Sequence, residues 1–535
     1  MNAKDIFSGI AFWKKTEPTT TNKTVVNDPR AVSRQGGQWG QAYSLPYNGE
    51  KDLGEMGPAV NYWLDYDNLR TRSWQAYLDS DIAHTVLNKM TLWMIDEGLK
   101  LQANPMDELL ETEGFSMDAE KFNDNVEARF KLWAESSFSS HDEMSNLNSL
   151  SKEAYKNAKI GGDVLVVLRL KDGDVNVQVI DAAHVKNPFV IPAKSKGNKI
   201  KHGIEKNKKG KHIAYHVQTD TFDFERILAT NPQSGLEVAF LVYGGRFRID
   251  NDRGMPAIST SLETLSKIDR YKEAAVGSAE ERQKIAFAIE HEQFSTGESP
   301  LVGTLASAFD AGNSTTSDLP VDELGNQLAN TISTTSNKNT YNMPLGSHLK
   351  SLESKNELYF KEFYSTNADI FCATMNIPPN VAFSLYHDSF SASRTATKDW
   401  EHTMIVERKD FSFQFYCKIY VFWLHIEILK QKVQAPGYLN AVSSKNRVVL
   451  QAYRNARFTG AMFPHIDPEK EVRAERLKLG ATGADINLTT AERSTEVLNS
   501  GDLKSNQEQY AKELDRSKSL GIKTEDVAVT EVLDS

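Results

Sequence analysis

The sequence predicts an α+β fold, in which helices pack on mostly antiparallel sheet, and three features of its 535 residues support this prediction. Apolar residues recur at three- and four-residue steps from Leu69 to Gly98, which is the spacing of one helical face. Short apolar runs joined by glycine-containing turns fill residues 163–249, as in antiparallel strands. Helical spacing returns at Ile258 and persists along most of the remaining chain.

The first half should form three helices, two hairpins and a further strand. One hairpin turns at Asp172-Gly173, because this pair suits the tight turns that join antiparallel strands, and another turns at Lys209-Gly210. The further strand lies within "AFLVYGGRFRI", residues 239–249. The expected helices cover 69–98, 119–133 and 148–160.

The second half should be mainly helical. Pro378 and Pro379 are expected to stop one helix, since proline lacks the amide donor and clashes with the preceding turn. The helix Trp400–Leu429 is apolar on more than one face, so it should need partners on several sides. Thr489 and Glu492 form a capping box at the start of another helix. The expected helices cover 258–289, 352–375, 396–430, 468–480 and 506–521, with one more opening at the capping box.

Composition limits the classes of function. A chain of this length exceeds what one hydrophobic core supports, so several structural units are expected. Its 72 acidic and 62 basic residues leave a net charge of −10, whereas proteins that grip nucleic acid through phosphates carry a basic excess. Any contact with DNA should therefore be weak. Two cysteines, Cys372 and Cys417, make a disulfide framework improbable and favour a reducing compartment.

Motifs for several chemistries are absent from the sequence. It has no G-x-x-x-x-G-K-[ST] loop, no H-E-x-x-H pair and no G-x-S-x-G elbow, and two cysteines are too few for a cysteine-based zinc site. No cofactor or metal is expected. The most apolar stretch, 411–429, should be a buried helix and not a membrane span, because it contains residues that are costly in hydrocarbon. These are Gln414, Lys418, His425 and Glu427.

Residues 376–401, "NIPPNVAFSLYHDSFSASRTATKDWE", are an unusual segment for so large a chain. A polar and aromatic loop follows the two prolines and carries the adjacent pair His387 and Asp388, before a helix that should begin near Ala396. The loop can be an active site or a mechanical finger. Sequence neighbours rarely point at one target, so residue chemistry alone favours an exposed, non-catalytic loop.

Two polar segments each allow two interpretations. Residues 291–341 are rich in Ser, Thr, Asn and Gly, with no Lys or Arg between Lys284 and Lys338. This segment is either a disordered acidic loop or a small module that folds only against its neighbours. The lysine-rich run 194–211 either contacts phosphates or forms the solvated tip of a hairpin, and its interspersed glycines favour the hairpin tip.

Six stretches between residues 69 and 483 follow an order known from one protein family. They are the helix 69–98, "DGDVNVQVIDAAHV", "GIEKNKKGKHIAY", "RGMPAISTSLETLSKIDRYKEAA", the segment 376–401 and "HIDPEKEVRAERLKLGATG". In this order they resemble the lambda-like family of tailed-phage portal proteins. The chain departs from the pattern at Asn376, where that family usually has glycine, and across 291–341, which matches nothing in it.

The resemblance implies a ring, usually of twelve subunits, at one vertex of a viral capsid. Each subunit would have a wing, a stem, a clip and a crown. The implied divisions are an N-terminal arm 1–60, an α/β wing 61–256, a stem helix 257–290, a clip 291–345, a second stem helix 346–376, a tunnel loop 377–397, a long wing helix and wing return 398–460, and a helical crown 461–535.

The resemblance also implies roles for two sets of side chains. The tunnel loop would line the channel for DNA packaging and ejection and would touch double-stranded DNA weakly and without sequence specificity, through Phe383, Tyr386, His387, Asp388, Arg394 and Lys398. The clip would dock assembly proteins through Glu298, Asp310, Asp318, Asp322 and Glu323.

The implied partners are the terminase large subunit, a head–tail adaptor protein, and the major capsid and scaffold proteins. The protein would be assembled in the host bacterial cytoplasm and located in the virion, with no membrane contact and no enzymatic activity. The alternatives are an equivalent ring in a gene-transfer agent or prophage particle, and a DNA-processing enzyme that uses His387 and Asp388.

Overall fold

The computed structural model describes most of the chain between residues 66 and 519. The described residues are 66–192, 195, 197–220, 222–249, 251–284, 288–291, 347–350, 360–385, 390–461, 468–480, 488–499 and 503–519. Two compact units divide the chain. The first unit comprises Met1–Lys267 and Thr366–Ser535, and the second comprises Ile268–Ser365.

The helices of the described residues are numbered here in chain order. They are α1 Tyr66–Asp79, α2 Asp81–Ile95, α3 Asp107–Thr112, α4 Ala119–Glu135, α5 Leu147–Gly161, α6 Leu262–Lys284, α7 Phe360–Thr374, α8 Pro379–Phe383, α9 Phe390–Gln414, α10 Tyr416–Leu429, α11 Tyr438–Ser444, α12 Arg447–Arg454, α13 Pro468–Lys478, α14 Ala491–Asn499 and α15 Leu503–Ser519. The helices predicted over 119–133, 148–160 and 468–480 are confirmed.

The described strands pair antiparallel in every sheet. In the first unit the sheets have the strand orders β3-β2-β8, β4-β5-β6-β7 and β1-β11, and in the second unit β9 pairs with β10. The strands are β1 Lys100–Ala103, β2 Asp163–Lys171, β3 Asp174–Asp181, β4 Lys199–Lys201, β5 Ile204–Lys206, β6 His212–Gln218, β7 Phe224–Leu228, β8 Ala239–Tyr243, β9 Ala288–His291, β10 Ser347–Lys350 and β11 Ala456–Thr459. The α+β fold class is therefore confirmed.

Both predicted hairpins form where the sequence placed them. Asp172 and Gly173 have φ values of 52° and 87°, the left-handed pair that a two-residue turn between β2 and β3 requires. Gly210 has φ 80° in the turn between β5 and β6. A buried apolar cluster that includes Leu165, Tyr215 and Leu241 joins the three-stranded and four-stranded sheets. α5 packs against β2 as well, so β2 is buried along most of its length.

The aromatic helix finds its partners inside the first unit. The ring centroids of Trp423 and Phe130 lie 5.1 Å apart, and those of Tyr416 and Phe458 also lie 5.1 Å apart. Most side chains of α10 are buried in this way. The expectation of a buried helix is confirmed for most of α10. In the rest of the predicted helix, Ile405, Val406 and Phe413 on α9 remain exposed within the single subunit.

Two predicted helices are each divided by one residue. Ser80 takes an extended conformation, φ −95° and ψ 117°, between α1 and α2, as is usual for the residue before a helix. Phe415, with φ −111° and ψ −71°, separates α9 from α10. Apolar spacing continues through both breaks, so periodicity alone did not reveal them. α14 is capped by Thr490, whose Oγ1 accepts from the Arg493 amide at 3.3 Å, and not by the predicted Thr489 box.

The helices predicted within 257–290 and 346–376 are shorter than expected. A 3₁₀ turn, Ala257–Ser261, precedes α6, which ends at Lys284, and β9 follows. In the second segment, β10 occupies Ser347–Lys350, and the described part of the predicted helix is α7 from Phe360. β9 and β10 are each four residues long and their partners are distant in sequence, so a local pattern could not distinguish them from helix. Within the second unit, Tyr271 packs on Phe363 with 4.4 Å between ring centroids.

Candidate functional site

The segment proposed to line a channel begins where α7 ends. Asn376 has φ 54°, in the left-handed region. The Asn376 amide donates to the Ala373 carbonyl at 3.1 Å, and the Ile377 amide donates to the Cys372 carbonyl at 3.0 Å. These two bonds form a Schellman helix end, whose left-handed residue is usually glycine and sometimes asparagine. The left-handed backbone accounts for asparagine at a position where the resembled family has glycine.

Pro378 starts a helix and does not stop one, so this prediction is wrong. α7 has already ended at Thr374, and Pro378 precedes α8 with Pro379 in its first turn. Proline suits that position because its fixed φ is helical and its missing amide has no partner to lose there. Val381 is buried, and α8 packs on α2. The first part of the segment is therefore anchored to the body of the unit.

The six predicted channel residues have different placements. Phe383 is half-buried in the last turn of α8. Tyr386, His387 and Asp388 lie outside the described residues, as do the five acidic residues of the predicted clip. Arg394 and Lys398 lie on α9, which begins six residues earlier than the predicted start at Ala396. The structure therefore shows a shorter connection than the predicted loop 377–397.

Both predicted DNA-contacting bases face a carboxylate. Arg394 Nη2 lies 3.7 Å from Glu471 on α13, and Lys398 Nζ lies 2.8 Å from Glu401 one turn along α9. The Lys398 side chain is exposed, and Arg394 is about half-exposed. A phosphate approaching either base would have to compete with its carboxylate. This arrangement can give at most a weak phosphate contact.

A buried ion-pair network, which the sequence analysis did not identify, fixes the neighbouring β region. Arg253 donates two bonds to the Asp163 carboxylate, at 2.7 and 2.8 Å, and Arg70 lies 3.3 Å from the same group. Burial would raise the pKa of Asp163, but the charge of Arg253 and its hydrogen bonds outweigh that effect and hold the pKa below its ordinary value. Asp163 is therefore ionised in the interior.

The network connects three of the stretches that carry the family resemblance and reaches the residue before a fourth. Arg253 also donates to the carbonyls of Ala182 at 2.8 Å, Val185 at 2.9 Å and His202 at 3.0 Å. Thus "RGMP" holds together the "DAAHV" segment, the turn before "GIEK" and, through Asp163, the helix that contains Arg70. The motifs were a partial signal in the sequence, because three of them supply parts of the network, whereas Asp163 at its centre lies outside the quoted stretches.

The glycine after Arg253 is required by close backbone approach. The Gly254 amide donates to Asp163 Oδ2 at 2.8 Å. A Cβ at Gly254 would lie 2.0 Å from the carbonyl oxygen of Gly162. Any other residue would push β2 away from this chain segment, so the "RG" pair is a structural requirement and not a ligand site.

A second buried carboxylate belongs to the "GIEK" motif. Glu205 on β5 accepts from Arg226 Nε at 2.8 Å, Ser195 Oγ at 2.7 Å and Asn198 Nδ2 at 2.6 Å. Burial raises its pKa, but these hydrogen bonds and the charge of Arg226 lower it to about 2. The carboxylate is fully satisfied by these partners, and its role in the structure is to tie β5 to β7.

A cavity of about 840 Å³ lies in the first unit between α5, β8 and α9. Lys159 pairs with Glu407 inside it, and the Tyr155 hydroxyl donates to Glu407 at 2.9 Å. Lys418 at the same cavity pairs with Glu237, and Gln414 accepts from the Tyr243 amide, so several of the polar groups there are engaged within the subunit. Among the described residues, no group of three His, Cys, Asp or Glu side chains could hold a metal ion, and no helix has the length and apolarity to cross a bilayer.

Comparison with known proteins gives one family match. A family model described as phage portal protein, lambda family, matches residues 55–407. No curated protein matches the sequence.

Solved structures give weaker similarities. A chain from the neck of a native gene-transfer-agent (GTA) particle, computed with C12 symmetry, is 11% identical, with a TM-score of 0.34 over 75% of this chain and 95% of that one. A neck chain of an empty GTA particle, computed with C6 symmetry, is 10% identical, with a TM-score of 0.37 over 83% and 96%. A chain from the virion of a native gene transfer agent is 12% identical, with a TM-score of 0.34 over 76% and 98%. Scores at this level do not establish a shared fold.

Proposed function

Because the chain belongs to the lambda family of phage portal proteins, we propose that twelve copies of it form a ring at one vertex of the capsid. Viral DNA would be packaged and ejected through the central channel. The observation that carries this proposal is the family match, which spans residues 55–407.

The proposed division of the subunit into arm, wing, stem, clip and crown also rests on membership of this family. The wing would combine 61–256 with 398–460, and pairing of β1 with β11, which places Lys100 opposite Thr459, supports this combination. The stem and clip would comprise 257–376, and the second unit, Ile268–Ser365, falls inside that range. The arm 1–60 and the crown 461–535 complete the proposed subunit.

The connection between α8 and α9 would face the channel. Phe383, Tyr386, His387 and Asp388 would line it, and Arg394 and Lys398 would touch DNA at its far end. The anchored ends of the connection support this role, since a channel constriction must hold its position while DNA moves past it. The paired state of both bases supports weak contact, because each phosphate neutralised adds affinity and would slow sliding.

The acidic segment 291–345 would be the docking surface for assembly proteins, with Glu298, Asp310, Asp318, Asp322 and Glu323 as contact residues. The partners would be the terminase large subunit, a head–tail adaptor, and the major capsid and scaffold proteins. The protein would itself have no catalytic activity, and a separate motor would supply the energy for packaging. Assembly would take place in the bacterial cytoplasm and the product would lie in the virion.

Electron microscopy of the purified protein tests the proposed function. Face-on views should show rings with a central hole, and native mass measurement should give about twelve times the subunit mass of 60.0 kDa. A preparation that stays monomeric across a broad range of salt and protein concentration would contradict the ring. A further measurement, ATP turnover by the same preparation, should remain at background.

A further inference from the structure

The hairpin region β4–β6 presents an exposed basic surface, although the chain as a whole is acidic. Its turn is held by Asn207, whose Oδ1 accepts from the amides of Lys209 and Lys211, both at 2.9 Å. The Gly210 amide also donates to the Asn207 carbonyl at 3.0 Å. The lysines around this turn therefore project from an ordered backbone. The exposed lysines near it are Lys199, Lys201, Lys208, Lys209 and Lys211.

Nearby acids do not neutralise this surface. Glu205 is the one acidic residue between 199 and 211, and it is buried with Arg226 as its partner. Asp252 pairs with Lys206 and with Lys201, the latter at 3.3 Å. Apart from Lys201, the exposed lysines Lys199, Lys208, Lys209 and Lys211 supply the surface charge of the hairpin. We call these four the basic tip.

An exposed acidic surface lies on another part of the same unit. The stretch 107–124, which covers α3 and the first turns of α4, has one base, Lys121, and that lysine pairs with Asp118 at 2.8 Å. Glu108 and Glu111 are exposed on α3. The stretch is called the acidic edge below. Its acids are Asp107, Glu108, Glu111, Glu113, Asp118, Glu120 and Asp124.

Different elements support the two surfaces. α3 packs on α12, and α4 packs on β1. The basic tip belongs to the four-stranded sheet, whose buried residues pack on β2 and β8. In a ring, each subunit meets its two neighbours through two different and complementary patches. One compact unit with a basic patch and a separate acidic patch meets this requirement.

We propose that the basic tip of one subunit docks on the acidic edge of the next subunit in the ring. This inference rests on the proposed ring and names one contact within it. The lysines would approach the carboxylates at the edge of the interface, where opposite charges steer association and fix the register of neighbours more than they add raw affinity. Salt screens such exposed charges over a Debye length of about 8 Å at physiological ionic strength, so ring assembly should become slower as salt is raised.

A charge-swap experiment tests this contact in the full-length protein. One variant carries Lys208→Glu and Lys209→Glu, a second carries Glu108→Lys and Glu111→Lys, and a third carries all four changes. Mass photometry at low salt would give the ring fraction against protein concentration. We expect each double variant to raise the concentration needed for half assembly by about tenfold or more, and the fourfold variant to return it near the wild-type value.

Matched controls separate the possible failures. A control variant with Lys409→Glu and Lys512→Glu changes the net charge as much as the Lys208→Glu, Lys209→Glu variant does, at exposed positions outside both surfaces. It should assemble like the wild type. Urea unfolding of every variant checks that the fold is kept. If the wild type forms no ring, the proposed function fails. If the wild type and all charge variants form rings equally well, only the contact between tip and edge is refuted. If the lysine variant instead loses affinity for double-stranded DNA with rings unaffected, the tip is a phosphate-binding surface and the docking proposal is wrong.

Discussion

Asp163 shows how one buried carboxylate makes several distant motifs depend on one another. Its partner Arg253 is almost fully buried and donates to Asp163 and to three carbonyls. Removal of one member of a buried ion pair leaves an uncompensated charge, which costs about 3–5 kcal/mol. We therefore expect Arg253→Ala to lower the free energy of unfolding of the first unit by about that amount, as measured by urea denaturation. The exposed control Lys209→Ala should change it by less than about 0.5 kcal/mol, and similar values for the two variants would contradict the role of the network.

Glu205 should make stability depend on acid pH. Its pKa is lowered from 4.5 to about 2 in the folded protein, so the carboxylate stabilises the fold above the unfolded-state pKa, and this contribution is lost as the pH falls through the folded-state pKa. Glu205→Gln removes the charge at every pH. We expect the stability difference between wild type and variant to be constant at neutral pH and to shrink between about pH 4.5 and pH 2. A difference that does not change with pH over this range would show that the charge of Glu205 is not what stabilises β5 against β7.

At the scale of elements, the sequence was informative where a local rule decides the structure. The Asp172-Gly173 turn needs two left-handed residues and obtains them, and helix α13 begins at a proline and is followed by a glycine with φ 78°. Prediction failed where contacts between residues distant in sequence determine the secondary structure. β9 and β10 are short and pair across a long segment, and α9 begins within a Ser- and Thr-rich stretch that was interpreted as loop. In that stretch the Thr397 hydroxyl donates to the Ser393 carbonyl at 2.9 Å, which is compatible with helix.

Prediction of the candidate site was limited in the same way, because its contacts join segments that are distant in sequence. The sequence located the segment 376–401, yet it could not show that Arg394 meets Glu471 on a helix more than seventy residues later. Nor could it show that Arg253, Asp163 and Arg70 meet in one buried network. Ion pairs between distant segments leave no periodic signal. The family resemblance located these segments only as motifs, and the contacts that explain the motifs required the structure.

The two basic residues near the start of α9 should affect the movement of DNA and contribute little to the stability of the fold. Arg394 and Lys398 form ion pairs that are partly exposed, and such pairs contribute about 0–1 kcal/mol. We expect the double variant Arg394→Ala, Lys398→Ala to form normal rings and to unfold within about 1 kcal/mol of the wild type, but to alter the amount of DNA packaged or retained per particle. Lys409→Ala, an exposed change farther along α9, is the matched control. If the double variant packages and retains DNA as the wild type does, the proposal that Arg394 and Lys398 contact DNA in the channel is wrong.

At the scale of the whole molecule, assembly should change the behaviour of the proposed clip. Residues 291–345 have few apolar side chains and no base before Lys338. A segment of this composition cannot bury enough apolar surface to offset the entropy lost on ordering, unless neighbouring chains supply further contacts. We expect the backbone amides of 291–345 to exchange with solvent fast in monomers and slowly in rings. Monomers for the comparison come from dilution below the assembly concentration.

The control for the clip prediction is the sheet of the first unit. Amides of β2 are hydrogen-bonded to β3 and β8 within one subunit, so their protection from exchange should be alike in monomers and rings. A rise in protection confined to 291–345 would show that neighbouring subunits order the clip, and docking of assembly proteins would then require a completed ring. Equal protection of 291–345 in both states would mean that the segment folds alone or never orders, and in either case its order would not depend on ring assembly.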